Sequence, residues 1–137
     1  MKRKALVVDD DALCLDILTQ FVTDKEFEVT SSTYPTCSLL AQKMDTCPME
    51  TPCYTTILSD YHMFGMTGLD LFEYQARCGC KVAPECKALI SGAIPPAAQE
   101  RAEACGYKVF HKPTPLHQID TWFNTLPLSR VNHEEES

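Results

Sequence analysis

Short apolar runs alternate with stretches of helical periodicity from one end of the chain to the other. Lys4 to Val8 predicts a strand, and Asp11 behind it predicts the cap of a helix whose apolar positions, Leu13, Ile17, Leu18, Phe21 and Val22, recur at helical spacing. Phe27 to Ser31 predicts a second, more polar strand, and Pro35-Thr36 opens a helix running to about Asp45. The segment from Cys47 to Cys53 holds Pro48 and Pro52 and suits neither helix nor strand. Tyr54 to Ser59 predicts a third strand, and after the loop from Asp60 to Thr67, Gly68 leads into a helix with Leu69, Phe72 and Ala76 on one face. A second irregular connection, Cys78 to Cys86, precedes a fourth strand from Lys87 to Ser91. Pro95-Pro96 starts a weakly amphipathic helix, Ala97 to Cys105, stopped by Gly106. Tyr107 to His111 predicts the fifth strand, and a last helix from Pro115 to about Leu126 buries Leu116, Ile119, Phe123 and Leu126. Strands alternating with helices in this way predict an α/β domain, a parallel sheet covered on both faces.

Composition narrows the function classes. The 137 residues make one domain, residues 4–127, followed by a polar, acidic tail, residues 128–137, with little to pack. With 19 acidic and 12 basic residues the net charge is −7, and no basic stripe is visible, which argues against direct nucleic-acid binding. Basic residues at Lys2, Arg3 and Lys4 stand where an export signal would have them. The apolar stretch behind them is cut short by Asp9-Asp10-Asp11, so neither export nor membrane insertion is expected. The expected compartment is the cytoplasm, where the eight cysteines read as reduced thiols or metal ligands before they read as a disulfide framework.

Chemistry concentrates at the ends of the apolar runs. The first ends in Asp9-Asp10-Asp11, the third in Asp60 and the fifth in Lys112-Pro113. Ligands of open α/β sheets bind at the carboxyl ends of the strands, so these distant segments are expected to converge. Carboxylates crowded together need a cation, and an oxygen-only cluster suits Mg²⁺ (or Mn²⁺), while the lysine adds a point charge for a phosphoryl oxygen. The chemistry implied is phosphoryl transfer to a carboxylate. A bland reading of the aspartates, a helix cap plus solvated charge, loses weight once Asp60, Ser91 and Lys112 fall into register with them.

These residues resemble a response-regulator receiver domain, the phosphoacceptor half of two-component signalling. The resemblance rests on Leu6 to Asp11, on Ile57 to Met63 with Gly68 eight residues after Asp60, on Ala88 to Ala93, and on Val109 to Pro113. It implies a flavodoxin-like, doubly wound (βα)5 domain with strand order 2-1-3-4-5. It also implies that Asp60 is the nucleophile that becomes an aspartyl phosphate. Asp10, Asp60 and the backbone carbonyl of His62 would hold Mg²⁺, with Asp9 acting largely through a bound water. Ser91, Lys112 and the backbone N–H of Gly92 would bind phosphoryl oxygens. The implied donor is a sensor histidine kinase or a histidine phosphotransfer protein, and the implied output is altered binding to a downstream protein. The domain would turn over no separate substrate, beyond catalysing its own phosphorylation from small phosphodonors and its own dephosphorylation. Three positions depart from the family pattern: Phe64 replaces a frequent proline, Thr67 a frequent acidic or amide residue, and Val109 the usual aromatic three places before the lysine. Phe110 is one place off and is expected on the other side of its strand.

The remaining signal is in the cysteines. If the implied strand order holds, the connections bearing Cys47, Cys53, Cys78, Cys80 and Cys86 lie side by side at the end of the sheet opposite the aspartates. A Cys₄ zinc site, a disulfide and unrelated loop thiols are all open readings of that cluster. Cys14 and Cys105 read as ordinary helix residues, and Cys37 is undecided. Two other functions compete with the phosphoacceptor reading. One is a non-phosphorylated adaptor or metal- or redox-sensing module using the cysteine end or the last helix around Trp122 and Phe123. The other, an aspartyl-phosphate phosphohydrolase, ranks low because it would need a positioned acid where His62 stands.

Overall fold

The computed structural model describes residues 3–37 and 46–126. The helix expected from Pro35 to Asp45 falls mostly outside them, as does the tail from residue 128 onward. Strands β1 (Lys4–Val8), β2 (Glu28–Ser32), β3 (Thr56–Asp60), β4 (Lys87–Ser91) and β5 (Lys108–His111) alternate with helices α1 (Ala12–Asp24), α2 (Gly68–Arg77), α3 (Pro96–Ala104) and α4 (Leu116–Phe123). All neighbouring strands pair in parallel, in the order β2-β1-β3-β4-β5, as the resemblance implies. A short 3₁₀ turn, Pro84–Cys86, delivers the chain into β4.

Burial explains the composition of the strands. Every residue of β3 and β4 is buried, as are Ala5 to Val8 of β1, because helices cover both faces of a central parallel strand. The edge strand β2 holds only exposed and half-buried positions and is correspondingly polar. Phe21, Phe27, Trp122 and Phe123 join α1 to α4, with ring centroids 5.2 Å apart for Phe27 and Phe123 and 5.7 Å for Trp122 and Phe123. Full burial of a side chain such as Phe72 contributes about 2–3 kcal/mol.

Several expectations shift. In α1 the residues facing the sheet are Leu15, Leu18 and Val22, whereas Leu13 is 69% exposed and Ile17 45%. Apolar spacing gives the helix, but these three positions set the buried stripe, and Leu13 lies off it. In α2 the exposed Ala76 gives way to Leu71 and Gln75 on the buried side. The last helix buries Trp122 and Phe123 against the core, so neither is open to a partner, and of the two interfaces the adaptor reading offered only the cysteine end is left. On β5, Phe110 packs against Trp122, while Tyr107 packs against Phe72 of α2, the two faces alternating as expected. Val109 shares its face with Tyr107 and carries no ring to move.

Candidate functional site

Register brings the sequence-predicted residues level at one end of the sheet. Val8 pairs with Ser59, Asp60 with Ile90 and Ser91 with His111, so the residues following β1, β4 and β5 stand beside the last residue of β3. Two backbone bonds carry this order past the strand ends: Tyr61 N–H to the Ile90 carbonyl at 2.9 Å and Lys112 N–H to the Ser91 carbonyl at 2.8 Å. Gly68 packs the start of α2 against the same rim. A Cβ there would stand 2.5 Å from the Asp60 carbonyl oxygen and 2.7 Å from Leu89 Cδ2, a closeness only glycine permits. The peptide bond between Lys112 and Pro113 is cis.

The three aspartates after β1 have separate tasks. Asp11 caps α1, its carboxylate accepting from the backbone N–H of Leu13 at 2.9 Å and Cys14 at 3.3 Å, and these bonds hold its pKa below the ordinary aspartate value. Asp9 is fully buried, and its Oδ1 accepts from the Asp11 N–H at 2.9 Å. Asp10 is exposed to solvent. Asp9, Asp10 and Asp60 can each offer an oxygen within 4.8 Å of the other two, and among the described residues they are the one such group of metal-binding side chains.

Lys112 joins the two buried carboxylates. Its Nζ lies 3.3 Å from Asp9 Oδ2 and 3.3 Å from Asp60 Oδ1. Burial alone would lower the pKa of this ammonium, but Asp60 and Asp9 outweigh burial and hold it above the ordinary lysine value. For Asp60 the balance runs the other way. Burial, seconded by the neighbouring charge of Asp9, pushes its pKa up to about 6 despite the opposing pull of Lys112. One lysine is too little positive charge for this cluster. Asp9 Oδ2 is buried, and the Lys112 ammonium that it shares with Asp60 is its one partner among the described residues. The all-oxygen donor set therefore fits a hard divalent ion such as Mg²⁺.

The loops after β3 and β4 close around this group. Ser91 is fully buried, and its Oγ accepts from the Ala93 N–H at 3.0 Å. Gly92 carries no side chain to narrow the space, and a Cβ there would come no closer than 4.0 Å to Lys112 Cβ. The ring of His62 reaches across to the Ala93 carbonyl, with Nε2 at 2.6 Å, and so carries its proton on Nε2. That contact ties the two loops together. It was not legible in the sequence, because it depends on loop geometry rather than on spacing.

The cysteine end requires a correction and an addition. The two cysteine-bearing connections do lie side by side, joined by a 2.7 Å bond from the Cys47 N–H to the Cys78 carbonyl. Yet among the described residues no disulfide joins Cys47, Cys53, Cys78, Cys80 or Cys86, and no three of their thiols come within 4.8 Å of one another, so a zinc site is not supported. The sequence pattern did not disclose Lys87, whose ammonium is already there. Lys87 is 2% exposed, donates to Gln75 Oε1 at 2.8 Å and to Cys80 Sγ at 3.6 Å, and lies over the ring of Phe72. A cation fixed among thiols repels a second one.

Comparison with known proteins agrees with this architecture. A CheY-like response regulator receiver domain protein from Methanospirillum hungatei aligns over 99% of this chain and 98% of its own, with a TM-score of 0.68 and 19% identity. A signal receiver domain from Vibrio parahaemolyticus aligns over 98% and 96%, with a TM-score of 0.72 and 14% identity. A response regulator receiver protein from Pseudomonas putida covers 90% of this chain and 97% of its own, at a TM-score of 0.68 and 19% identity. No protein-family model and no curated protein matches the sequence. The chain has the fold of a response-regulator receiver domain.

Proposed function

From that fold and the acidic rim, we propose that the chain is the phosphoacceptor of a two-component phosphorelay, phosphorylated on Asp60. The observation that carries the proposal is Lys112 held 3.3 Å from both Asp9 and Asp60, with Asp10 completing a cation-ready triad. An anionic carboxylate attacks an anionic phosphoryl group only where positive charge offsets both. Asp60 would supply the attacking oxygen: its new O–P bond replaces the P–N bond of a phosphohistidine, and the departing imidazole takes up a proton. Lys112 would hold a phosphoryl oxygen. The Ser91 hydroxyl proton, directed to no acceptor among the described residues, would reach a second, and the Gly92 N–H would assist. Asp10, Asp60 and the His62 carbonyl would hold Mg²⁺ (or Mn²⁺), with Asp9 acting through water; bound there, the ion would neutralise charge on the phosphoryl oxygens. His62, tied to the Ala93 carbonyl, would control water access to the aspartyl phosphate, and with it the rate of self-dephosphorylation.

The donor would be a histidine kinase or a histidine phosphotransfer protein in the cytoplasm, and the output a change in protein binding. No helix among the described residues is long and apolar enough to cross a membrane. The test is intact mass after incubation with Mg²⁺ and acetyl phosphate. The native chain should gain one phosphoryl mass and Asp60→Asn none, and an unmodified native chain would favour the adaptor reading. Because Val109 has no ring to swing inward, the phosphoryl-induced change should fall on α3 and its flanking loops. Hydrogen exchange with and without beryllofluoride would show it, and protection confined to Tyr107 to His111 would contradict it.

A further inference from the structure

The pole opposite the aspartates holds a buried cation with no carboxylate to balance it among the described residues. Lys87 is 2% exposed, and among the described residues its ammonium meets only the Gln75 carbonyl oxygen at 2.8 Å, the Cys80 sulfur at 3.6 Å and the face of Phe72. Burial lowers its pKa, while Cys80, Cys37 and Cys53 act in the opposite direction, so the groups that answer this charge are thiols. An ammonium confined in this way sets a positive charge against the sulfur it donates to. Cys80 is half-buried and within reach of a small oxidant. Cys53 is half-buried in the loop joined to that of Cys80, and its pKa is pushed up to about 11, first by burial and then by Cys80, ahead of Cys37 and Cys47. The bond from Cys47 N–H to the Cys78 carbonyl fixes the two loops that carry them.

We propose that Cys80 is a peroxide-reactive thiol, activated by Lys87 and closed into a disulfide by Cys53. In the first step the Cys80 sulfur attacks hydrogen peroxide. An S–O bond forms, the O–O bond breaks, and hydroxide leaves as water once protonated; the sulfur is oxidised by two electrons to a sulfenic acid, and the peroxide is reduced. In the second, Cys53 Sγ attacks the Cys80 sulfur. The S–S bond forms as the S–O bond breaks, and the departing hydroxide leaves with the Cys53 proton as a second water. This chemistry does not depend on phosphorylation of Asp60.

The test treats the full chain with sub-stoichiometric hydrogen peroxide at neutral pH, traps sulfenic acid with dimedone and maps the modified peptides. The internal reference is Cys105, the exposed thiol of the chain. The label should fall on Cys80 before Cys105, an order that exposure alone would reverse. The native chain should then lose two hydrogens and yield a Cys53–Cys80 linked peptide, whereas Cys53→Ser should accumulate the dimedone adduct on Cys80. Lys87→Met should slow labelling of Cys80 on the order of tenfold without altering Cys105. Preferential labelling of Cys105 in the native chain, a measurement that needs no variant to fold, would overturn the proposal. Unchanged Cys80 reactivity in a folded Lys87→Met would overturn the role of the lysine.

Discussion

Lys112 and Lys87 stand at opposite ends of the same sheet, and their surroundings act on them in opposite directions. Both lose hydration on folding. For Lys112 the Asp60 and Asp9 carboxylates outweigh that loss and raise its pKa, whereas for Lys87 burial wins and lowers it. The difference comes from the neighbours, carboxylates against thiols and an amide. At the aspartate pole two buried carboxylates share one ammonium, and burial, seconded by Asp9, leaves Asp60 reluctant to ionise. At the thiol pole positive charge stands without a carboxylate among the described residues. One end therefore offers a cluster of oxygens that fits a cation, and the other sets an ammonium against a sulfur.

The largest effect expected from breaking this contrast is on stability. The pKa of Asp60 is about 6 in the folded chain and lies near 3.8 when exposed, so the folded state holds the Asp60 proton more tightly than the unfolded state does. Stability attached to this group is present below about pH 4 and lost as pH rises through 6. Asp60→Asn cannot ionise and escapes that loss. In metal-free buffer at pH 7 it should be more stable than the native chain by up to about 3 kcal/mol, an advantage that shrinks toward pH 4. Urea denaturation at several pH values in a chelator would measure it. A difference that stays constant with pH would mean that the Asp60 charge is already compensated in the folded chain.

A smaller effect separates the roles of two charged groups at that pole. Asp10→Asn removes a carboxylate oxygen from the triad and should weaken Mg²⁺ binding on the order of tenfold or more. Lys112→Ala should leave Mg²⁺ affinity intact or tighter, since it deletes a positive charge beside the ion. Calorimetric titration of both variants decides it. Equal losses would make Lys112 a structural support of the site rather than a phosphoryl ligand.

The two poles were unequally legible. Asp9 and Asp60 could be located because the central parallel strands β1 and β3, buried on both faces, read as apolar runs with sharp ends at the rim, whereas Lys112, behind the edge strand β5, was placed by its register with them. The strand order came from the resemblance and not from periodicity. The buried stripe of α1 was misread because Leu13 and Ile17 are as apolar as Leu15, and type alone does not say which side of a helix meets the sheet. Lys87 escaped notice because a lysine at the head of an apolar strand reads as the exposed start of that strand. The adjacency of the cysteine loops could be inferred from topology. That no three of the described thiols converge could not, because adjacency of loops does not fix the aim of their side chains.

The smallest expected effect is at Lys87 itself, where two terms oppose each other. Lys87→Met removes a buried ammonium, which stabilises, and leaves the Gln75 Oε1 acceptor without its donor, which costs about 1–3 kcal/mol. At pH 7 the variant should therefore lie within about 1 kcal/mol of the native chain. The sharper signature is in the pH dependence. Because the Lys87 pKa is lowered on folding, the unfolded chain binds its proton more tightly, so native stability should rise relative to Lys87→Met as pH climbs from that lowered value toward 10.5. Urea denaturation of both chains between pH 7 and 10, under reducing conditions, reads this slope directly. A slope of the opposite sign would mean that the thiols compensate Lys87 as fully as the carboxylates compensate Lys112, and the contrast between the two poles would dissolve.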